Sequence, residues 1–168
     1  MSDQNPSPQT PRFPRLPMSV MMQKDANGWH LIGILPSAAA STTDQPQREL
    51  VRDDGATQIY RWEGLTLPLT PDACDDYWYN ITSDKPRLYL LCQPDAENAP
   101  APLRLSADQD DAVAAEEVDE WFFQTAMPPP IVQYIQAYIA EHRRAGPRKQ
   151  KIVGKEGDKY RQSPDRRR

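Results

Sequence analysis

The chain has 168 residues, which is room for one ordinary domain. Hydrophobic residues make up 38% of it, below the usual share of about 45–50%, and the mean hydropathy is −0.79. Both values favour a modest core with unfolded ends. No run approaches the roughly 18 apolar residues that a membrane span needs, and no apolar secretory signal is visible at the start. We therefore expect a cytoplasmic protein without a membrane span.

The net charge of −4 conceals opposite charges in two parts of the chain. Residues 93–120 carry nine acidic residues against Arg104, a balance of −8, and residues 142–168 carry eleven Lys and Arg against three acidic residues, a balance of +8. The basic tail could dock on an acidic protein surface or fold back on the acidic segment of its own chain. Nucleic-acid binding is less favoured, because only Tyr160 interleaves the basic residues with an aromatic ring.

The N-terminal part predicts a leader and then a hairpin. Residues 1–16 carry four prolines among polar residues and predict a disordered leader. Residues 18–23 and 29–35 have strand patterns, and Asn27-Gly28 between them suits the positive φ of a tight turn. Both faces of the second strand are largely apolar, so we expect it to lie in the centre of a sheet.

Later segments add strands that are separated by turn signals. Residues 36–47 are polar and indicate a loop that ends near residues 48–51. Gly64 is expected to break the next strand, because glycine weakens strand interiors. The predicted strands are residues 57–63, 65–69, 87–93 and 103–105.

Two short helices are predicted in the middle of the chain. Thr70 is expected to cap a helix over residues 71–79, with Pro71 in the first helical position. This helix ends in a concentrated aromatic patch at residues 77–79. Residues 107–118 predict a second, acidic helix.

The strongest helical pattern lies near the C-terminus. Ile131, Ile135 and Ile139 fall on one apolar stripe of a helix that begins at Pro130 and ends near residue 142. The aromatic residues 121–123 are expected to cover this stripe.

Together these elements predict an α+β fold. We expect a small, mostly antiparallel sheet or half-barrel covered by the C-terminal amphipathic helix. The expected divisions are a disordered leader at residues 1–16, a single domain at residues 17–144 and a disordered basic tail at residues 145–168.

The sequence shows no catalytic constellation. The glycine-rich phosphate-loop patterns and the GxSxG nucleophile pattern are absent from it. His30 and His142 are expected to have structural roles. Cys74 and Cys92 form no metal-ligand spacing and are expected to be reduced, partly buried thiols. We therefore expect no enzyme, no metal and no bound cofactor.

Several segments, in order, carry a family resemblance: PMSVMMQK, WHLIGILP, YRWEGLTLPLT, DYWYNITSDKPRLYLLCQ and AMPPPIVQYIQAYIAEHRR. Over roughly residues 17–151 they resemble an uncharacterised bacterial family, the domain-of-unknown-function family 3305. The family tends to be encoded beside molybdenum-dependent formate dehydrogenase subunits and their maturation proteins. The resemblance therefore implies an accessory role in the assembly, cofactor loading or regulation of such an enzyme.

The leading interpretation is a non-catalytic accessory protein that binds a dehydrogenase subunit or maturation protein. Exposed aromatic clusters and a charged arm are typical of interfaces. The candidate partner-binding residues are Tyr77, Trp78, Tyr79, Trp121, Phe122, Phe123, Met127, Arg143, Arg144, Arg148, Lys149 and Lys151.

The alternative is a protein that handles a pterin or nucleotide cofactor during molybdenum cofactor delivery. A pocket between the sheet and the helix would favour it, lined by Trp62, Tyr79, Tyr89 and Tyr134.

Overall fold

A computed structural model describes residues 15–38 and 45–143 of the chain. The described residues form seven β strands: β1 (Leu16–Asp25), β2 (Gly28–Pro36), β3 (Gln47–Asp53), β4 (Gln58–Leu67), β5 (Arg87–Pro94), β6 (Pro100–Ser106) and β7 (Trp121–Ala126). They also form three α helices: α1 (Cys74–Ile81), α2 (Gln109–Glu117) and α3 (Pro129–His142), with a 3-10 turn (Pro71–Ala73) leading into α1.

The strands form two antiparallel sheets. One sheet has the order β2-β1-β4-β3 and the other has the order β6-β5-β7. The two sheets approach each other along two lines, where β2 lies beside β7 and β4 lies beside β6. The predicted α+β class is confirmed, with the strands divided between two small sheets.

The core is a single cluster to which both sheets contribute. The inward side chains of the two central strands, β1 and β5, are fully buried in it: Met18, Val20, Met22, Leu88, Leu90 and Cys92. Alternate residues point the same way from a strand, so this period-two pattern gives each strand one inward face. In both sheets the central strand carries the most deeply buried residues.

The apolar stripe of α3 enters the same cluster. Ile131, Ile135 and Ile139 are buried, as their spacing predicts. α3 lies beside α1, and the Tyr138 hydroxyl donates to the Leu69 carbonyl at 3.2 Å. No helix among the described residues is long and apolar enough to cross a membrane.

The sequence prediction missed a strand at residues 121–123. These residues begin β7, which pairs with β5. Trp121 and Phe123 pack against the main core. Phe122 pairs with the fully buried Leu91 and therefore lies on the opposite face of the sheet.

The expected central position of the second strand was also wrong, because β2 lies at the edge of its sheet. Ile32 has no partner in the pairing of β2 with β1. Before it, the odd-numbered residues Trp29 and Leu31 face the core, and after it the even-numbered Ile34 does. Ile32 is 47% exposed. The apolar residues on both faces of β2 thus reflect a β-bulge, which shifts the alternation by one residue.

Gly64 does not break its strand. β4 runs continuously from Gln58 to Leu67, and Gly64 has φ of 94° within it. At this point β1 pairs Val20 with Trp62 and then Met18 with Leu65, so β4 contains an extra residue. Glycine accepts positive φ without a steric penalty, which makes it suited to a bulge.

The predictions around the remaining elements were mixed. Residues 47–53 form β3 instead of the end of a loop, and all seven of its residues are exposed. The helices predicted at residues 71–79 and 107–118 are present as the 3-10 turn with α1 and as α2. Thr70 occupies the cap position before the 3-10 turn, but its side chain makes no capping hydrogen bond. The predicted leader ended one residue too late, because Leu16 already begins β1. Residues 1–14 of the leader and the whole predicted tail lie outside the described residues.

Both cysteine thiols are buried, and they do not form a disulfide bond. Burial raises the pKa of Cys92 to about 12. Burial and then the Asp75 carboxylate raise the pKa of Cys74. The thiolate is the reactive form of cysteine, so both side chains should be inert in the folded protein.

We expect native protein at pH 8 to react negligibly with a thiol-specific chromogenic reagent. On the order of one Cys92 thiol in ten thousand is ionised at that pH, whereas both thiols should react within minutes in denaturant. A Cys74→Ala variant assigns the remaining signal to Cys92. Fast labelling of the native variant would contradict the buried position of Cys92.

Candidate functional site

A polar cavity of about 430 Å³ lies on the outer face of β5. Its walls come from α1, the loop after α1, the start of α2 and one residue of β7. The lining residues are Asp76, Tyr79, Asn80, Ser83, Lys85, Arg87, Tyr89, Asp108, Gln109, Asp110 and Gln124. We call this feature the polar cavity.

One wall of the polar cavity is held in place by the side chain of Asn80. Its amide nitrogen donates to the carbonyls of Arg87 and Ala107, each at 2.8 Å. Its amide oxygen accepts from the Arg87 N–H at 2.9 Å. Asn80 therefore fastens α1 both to the start of β5 and to the segment between β6 and α2. Asn80 is also the first residue of an Asn-Ile-Thr sequence, which has the pattern of a glycosylation acceptor. Its side chain is instead occupied by these three hydrogen bonds.

Replacement of Asn80 by alanine should lower the free energy of unfolding by roughly 2–4 kcal/mol, because partly buried backbone groups lose their partners. Urea unfolding followed by circular dichroism measures this change. Gln124→Ala provides a control at an exposed position of the same cavity and should change the free energy of unfolding by less than about 0.5 kcal/mol. Equal effects of the two substitutions would refute the fastening role.

The acidic wall of the polar cavity is formed by Asp76, Asp108 and Asp110, which offer carboxylate oxygens within 4.8 Å of one another. Asp108 also caps α2 by accepting from the Asp110 N–H at 3.0 Å. Burial raises the pKa of Asp108, and repulsion from the neighbouring carboxylates adds to it, while the capping hydrogen bond lowers it. Such oxygens suit a hard divalent cation or a positively charged group.

The polar cavity is also lined by positive charge and aromatic surface. Lys85 and Arg87 supply the charge, and Tyr79 and Tyr89 supply the rings. Tyr79 is 74% exposed, while Tyr89 is buried. Burial raises the pKa of Tyr89, so its hydroxyl stays protonated at neutral pH and can donate a hydrogen bond. The cavity can thus hold a ligand that combines a flat ring with negative charge.

The four residues expected to line a cofactor pocket are divided in the structure. Tyr79 and Tyr89 both line the polar cavity. Tyr134 lies instead in a second, smaller cavity beside Leu67 and Tyr138, and Trp62 packs against the main core. These four residues therefore do not share one pocket, because β4 and α3 do not border the cavity that β5 and α1 form.

A second feature is the surface where α1 meets the end of α3. Trp78 is 37% exposed, and the Arg143 guanidinium lies 5.7 Å from the centre of its ring. The same guanidinium lies 3.4 Å from an Asp75 carboxylate oxygen. Tyr79 follows Trp78 on α1. We call Trp78, Tyr79 and Arg143 the aromatic–basic surface.

The structure places the predicted partner-binding residues at different depths. Tyr77 is buried, with its hydroxyl accepting from the Thr70 N–H at 3.1 Å. Met127 is buried as well, and residues 121–123 are half-buried in β7. The sequence alone did not show which of the three consecutive aromatic residues 77–79 is buried, because that depends on which side of α1 faces the core. Arg144, Arg148, Lys149 and Lys151 lie outside the described residues.

The two histidines have local partners. The His142 ring stacks on Tyr138 with a centroid distance of 4.0 Å, and its Nδ1 lies 3.0 Å from the Tyr138 carbonyl oxygen. His30 lies 3.2 Å from an Asp25 carboxylate oxygen. These contacts fit the structural roles that were expected for both side chains.

One cluster was missed by the sequence reasoning. The Arg48 guanidinium lies 4.8 Å from the Tyr60 ring centre and 5.7 Å from that of Trp62. The cluster depends on pairing between β3 and β4. The period-two spacing of Tyr60 and Trp62 was a usable signal, but Arg48 was assigned to a loop.

The fold and its surfaces define a small α+β domain of two antiparallel sheets, with a polar cavity and an aromatic–basic surface. The chain belongs to the family described as protein of unknown function (DUF3305), whose model matches residues 18–152. This match confirms the resemblance. No curated protein and no solved structure matches the chain.

Proposed function

We propose that this protein is a non-catalytic accessory protein that binds a subunit or a maturation protein of a molybdenum-dependent formate dehydrogenase. Its role would lie in the assembly, maturation or regulation of that enzyme. The enzyme is suggested by the genomic setting of the family. The observation that carries the binding role is the aromatic–basic surface.

The aromatic–basic surface has the chemistry of an interaction site. Trp, Tyr and Arg are the residue types most enriched among those that dominate binding energy. Tyr79 exposes three quarters of its surface, although its ring would be stabilised by burial. Trp78 and Arg143 are already held together, so less conformational freedom is lost when a partner binds.

The distribution of basic residues along the chain supports a binding role for the same surface. Arg143 is the last described residue, and ten further Lys and Arg residues follow it in the sequence. The basic segment therefore starts at the aromatic–basic surface. A partner with an acidic patch beside an apolar groove would use both features. Opposite charge would accelerate the encounter, and burial of the rings would slow dissociation.

We expect a Trp78→Ala/Tyr79→Ala variant to lose most partner recovery in a tagged pull-down from the native host. Removal of two central aromatic anchors should weaken binding by about tenfold or more. A chain that ends at Arg144 tests the contribution of the tail. The measurement is the amount of dehydrogenase and maturation subunits recovered, quantified by mass spectrometry.

Val113→Ala/Val118→Ala provides the matched control, because both valines are exposed on or beside α2 and neither belongs to the aromatic–basic surface nor lines the polar cavity. This variant should recover partners as the unchanged chain does. The proposal fails if the full chain recovers neither dehydrogenase nor maturation subunits, or if the aromatic variant recovers them equally well.

The second candidate function is the handling of a pterin or nucleotide, and the polar cavity favours it. Its volume suits a small ligand. Tyr79 offers a face for ring stacking, and Lys85 and Arg87 offer charge for a phosphate. This function requires a ligand in the cavity, whereas the accessory role requires a protein on the aromatic–basic surface. Tyr79 belongs to both features, so Trp78 on the surface and Lys85 with Arg87 in the cavity distinguish them.

For cofactor handling we expect purified protein to show near-ultraviolet absorbance beyond that of tryptophan, with release of the absorbing molecule on denaturation. Lys85→Ala/Arg87→Ala should reduce the amount bound by about tenfold or more, since it removes both cations. Mass spectrometry of the released fraction identifies the molecule. Protein-only spectra from the native host, together with successful partner recovery, would reject this candidate and keep the accessory role.

A further inference from the structure

The strand β3 forms an edge of the first sheet. Among the described residues its hydrogen-bonded neighbour is β4, and all seven of its residues are exposed. Leu50 and Val51 are adjacent aliphatic residues in its centre and are 47% and 48% exposed. An edge strand with apolar residues is a template for pairing with another chain.

The charges of β3 are complementary to those of a second copy. The strand reads Gln-Arg-Glu-Leu-Val-Arg-Asp from residue 47 to residue 53. Antiparallel pairing with an identical strand can place Leu50 opposite Val51. Glu49 then lies opposite Arg52, and Arg48 lies opposite Asp53. A two-fold axis repeats each contact, so this register contains four pairs of opposite charge.

Neighbouring registers are unfavourable. A shift by one residue in one direction places Arg48 opposite Arg52. A shift in the other direction places Glu49 opposite Asp53. Arg48 and Arg52 lie on opposite faces of β3, and so do Glu49 and Asp53. Neither shift therefore gives a regular two-fold pairing, in which opposed residues share a face. Of these three registers, only the one with Glu49 opposite Arg52 and Arg48 opposite Asp53 joins opposite charges that share a face.

The irregularity in β3 places the matching charges on the same face. Arg48 and Asp53 pair with Trp62 and Gln58 of β4, which are an even number of residues apart and so share a face. Glu49 and Arg52 pair with Arg61 and Ile59, which share the other face. The register shift between Leu50 and Arg52 is the cause, because a regular strand would put Arg48 and Asp53 on opposite faces.

The present contacts of these side chains leave them accessible. Glu49 lies 2.5 Å from Arg61 and has 62% of its side chain exposed. Arg52 lies 3.7 Å from Asp54 and has 68% of its side chain exposed. Arg48 lies over the Tyr60 and Trp62 rings, and Asp53 accepts from the Gln58 side-chain amide at 3.1 Å. All of these contacts are within one chain, and pairing with a second copy would compete with them.

We propose that β3 pairs with β3 of a second copy of this chain and forms a symmetric dimer. The pairing is antiparallel, with Leu50 opposite Val51 and a two-fold axis perpendicular to the sheet. The two four-stranded sheets become one eight-stranded sheet. This inference is independent of the proposed accessory role and of the polar cavity.

Sedimentation velocity of the full chain over a range of concentrations tests the dimer. We expect a monomer–dimer equilibrium that shifts towards monomer as the salt concentration increases, because exposed charge pairs are screened. Glu49→Arg and Arg52→Glu each place like charges opposite each other twice in the dimer. Each variant should weaken self-association by roughly tenfold or more.

The decisive experiment mixes the Glu49→Arg and Arg52→Glu variants. The arginine introduced at position 49 of one chain then faces the glutamate introduced at position 52 of the other, and the natural Arg52 and Glu49 face each other. Mixing should restore dimerisation, which damage to the fold of either variant would not allow. A full chain that remains monomeric at its highest soluble concentration overturns the proposal. So does a dimer that neither substitution weakens, or a mixture that does not associate.

Discussion

The rest of the structure depends on the burial of one face of β1 together with one face of β5. Six residues on these two faces have no exposed surface, and both strands lie centrally in their sheets. The burial of their Met, Val, Leu and Cys side chains is the main favourable contribution to such a core. The remaining strands extend these two, and α1 and α3 add Tyr77, Ile131 and Ile135 to the same cluster.

The two possible binding features lie outside this core and depend on how it is enclosed. The outer face of β5 carries Arg87 and Tyr89, and α1 and α2 border that face to form the polar cavity. Asn80 links these parts through three hydrogen bonds to backbone groups. The aromatic–basic surface arises because α1 buries Tyr77 and turns Trp78 and Tyr79 outward. The same helix thus supports the core, the cavity and the surface.

Register irregularities explain most of the exposed aliphatic residues in the strands. Ile32, Val51 and Leu103 are each skipped when their strand pairs with its neighbour, and each is more than 40% exposed. A bulge leaves one residue outside the ladder and shifts the following residues to the other face. This is why β2 appears apolar on both faces in the sequence although it is an edge strand. In β3 the same irregularity places Arg48 and Asp53 on one face and Glu49 and Arg52 on the other.

The sequence by itself determined the existence of most elements. Periodicity located the strands β1, β2, β4 and β5 and the helix α3, and a short apolar run indicated β6. It did not locate β3, because no residue of that strand is buried, or β7, because an aromatic run has no period of its own.

Only the tertiary structure decided which side chains meet. The combination of Tyr79 and Tyr89 with Lys85 and Arg87 depends on pairing between distant segments, and so does the position of Arg48 over Tyr60. The physical reason is that periodicity reports the burial of single residues along one segment. Strand order, bulges and the meeting of faces depend on contacts between segments, which are far apart in the sequence and leave no local pattern.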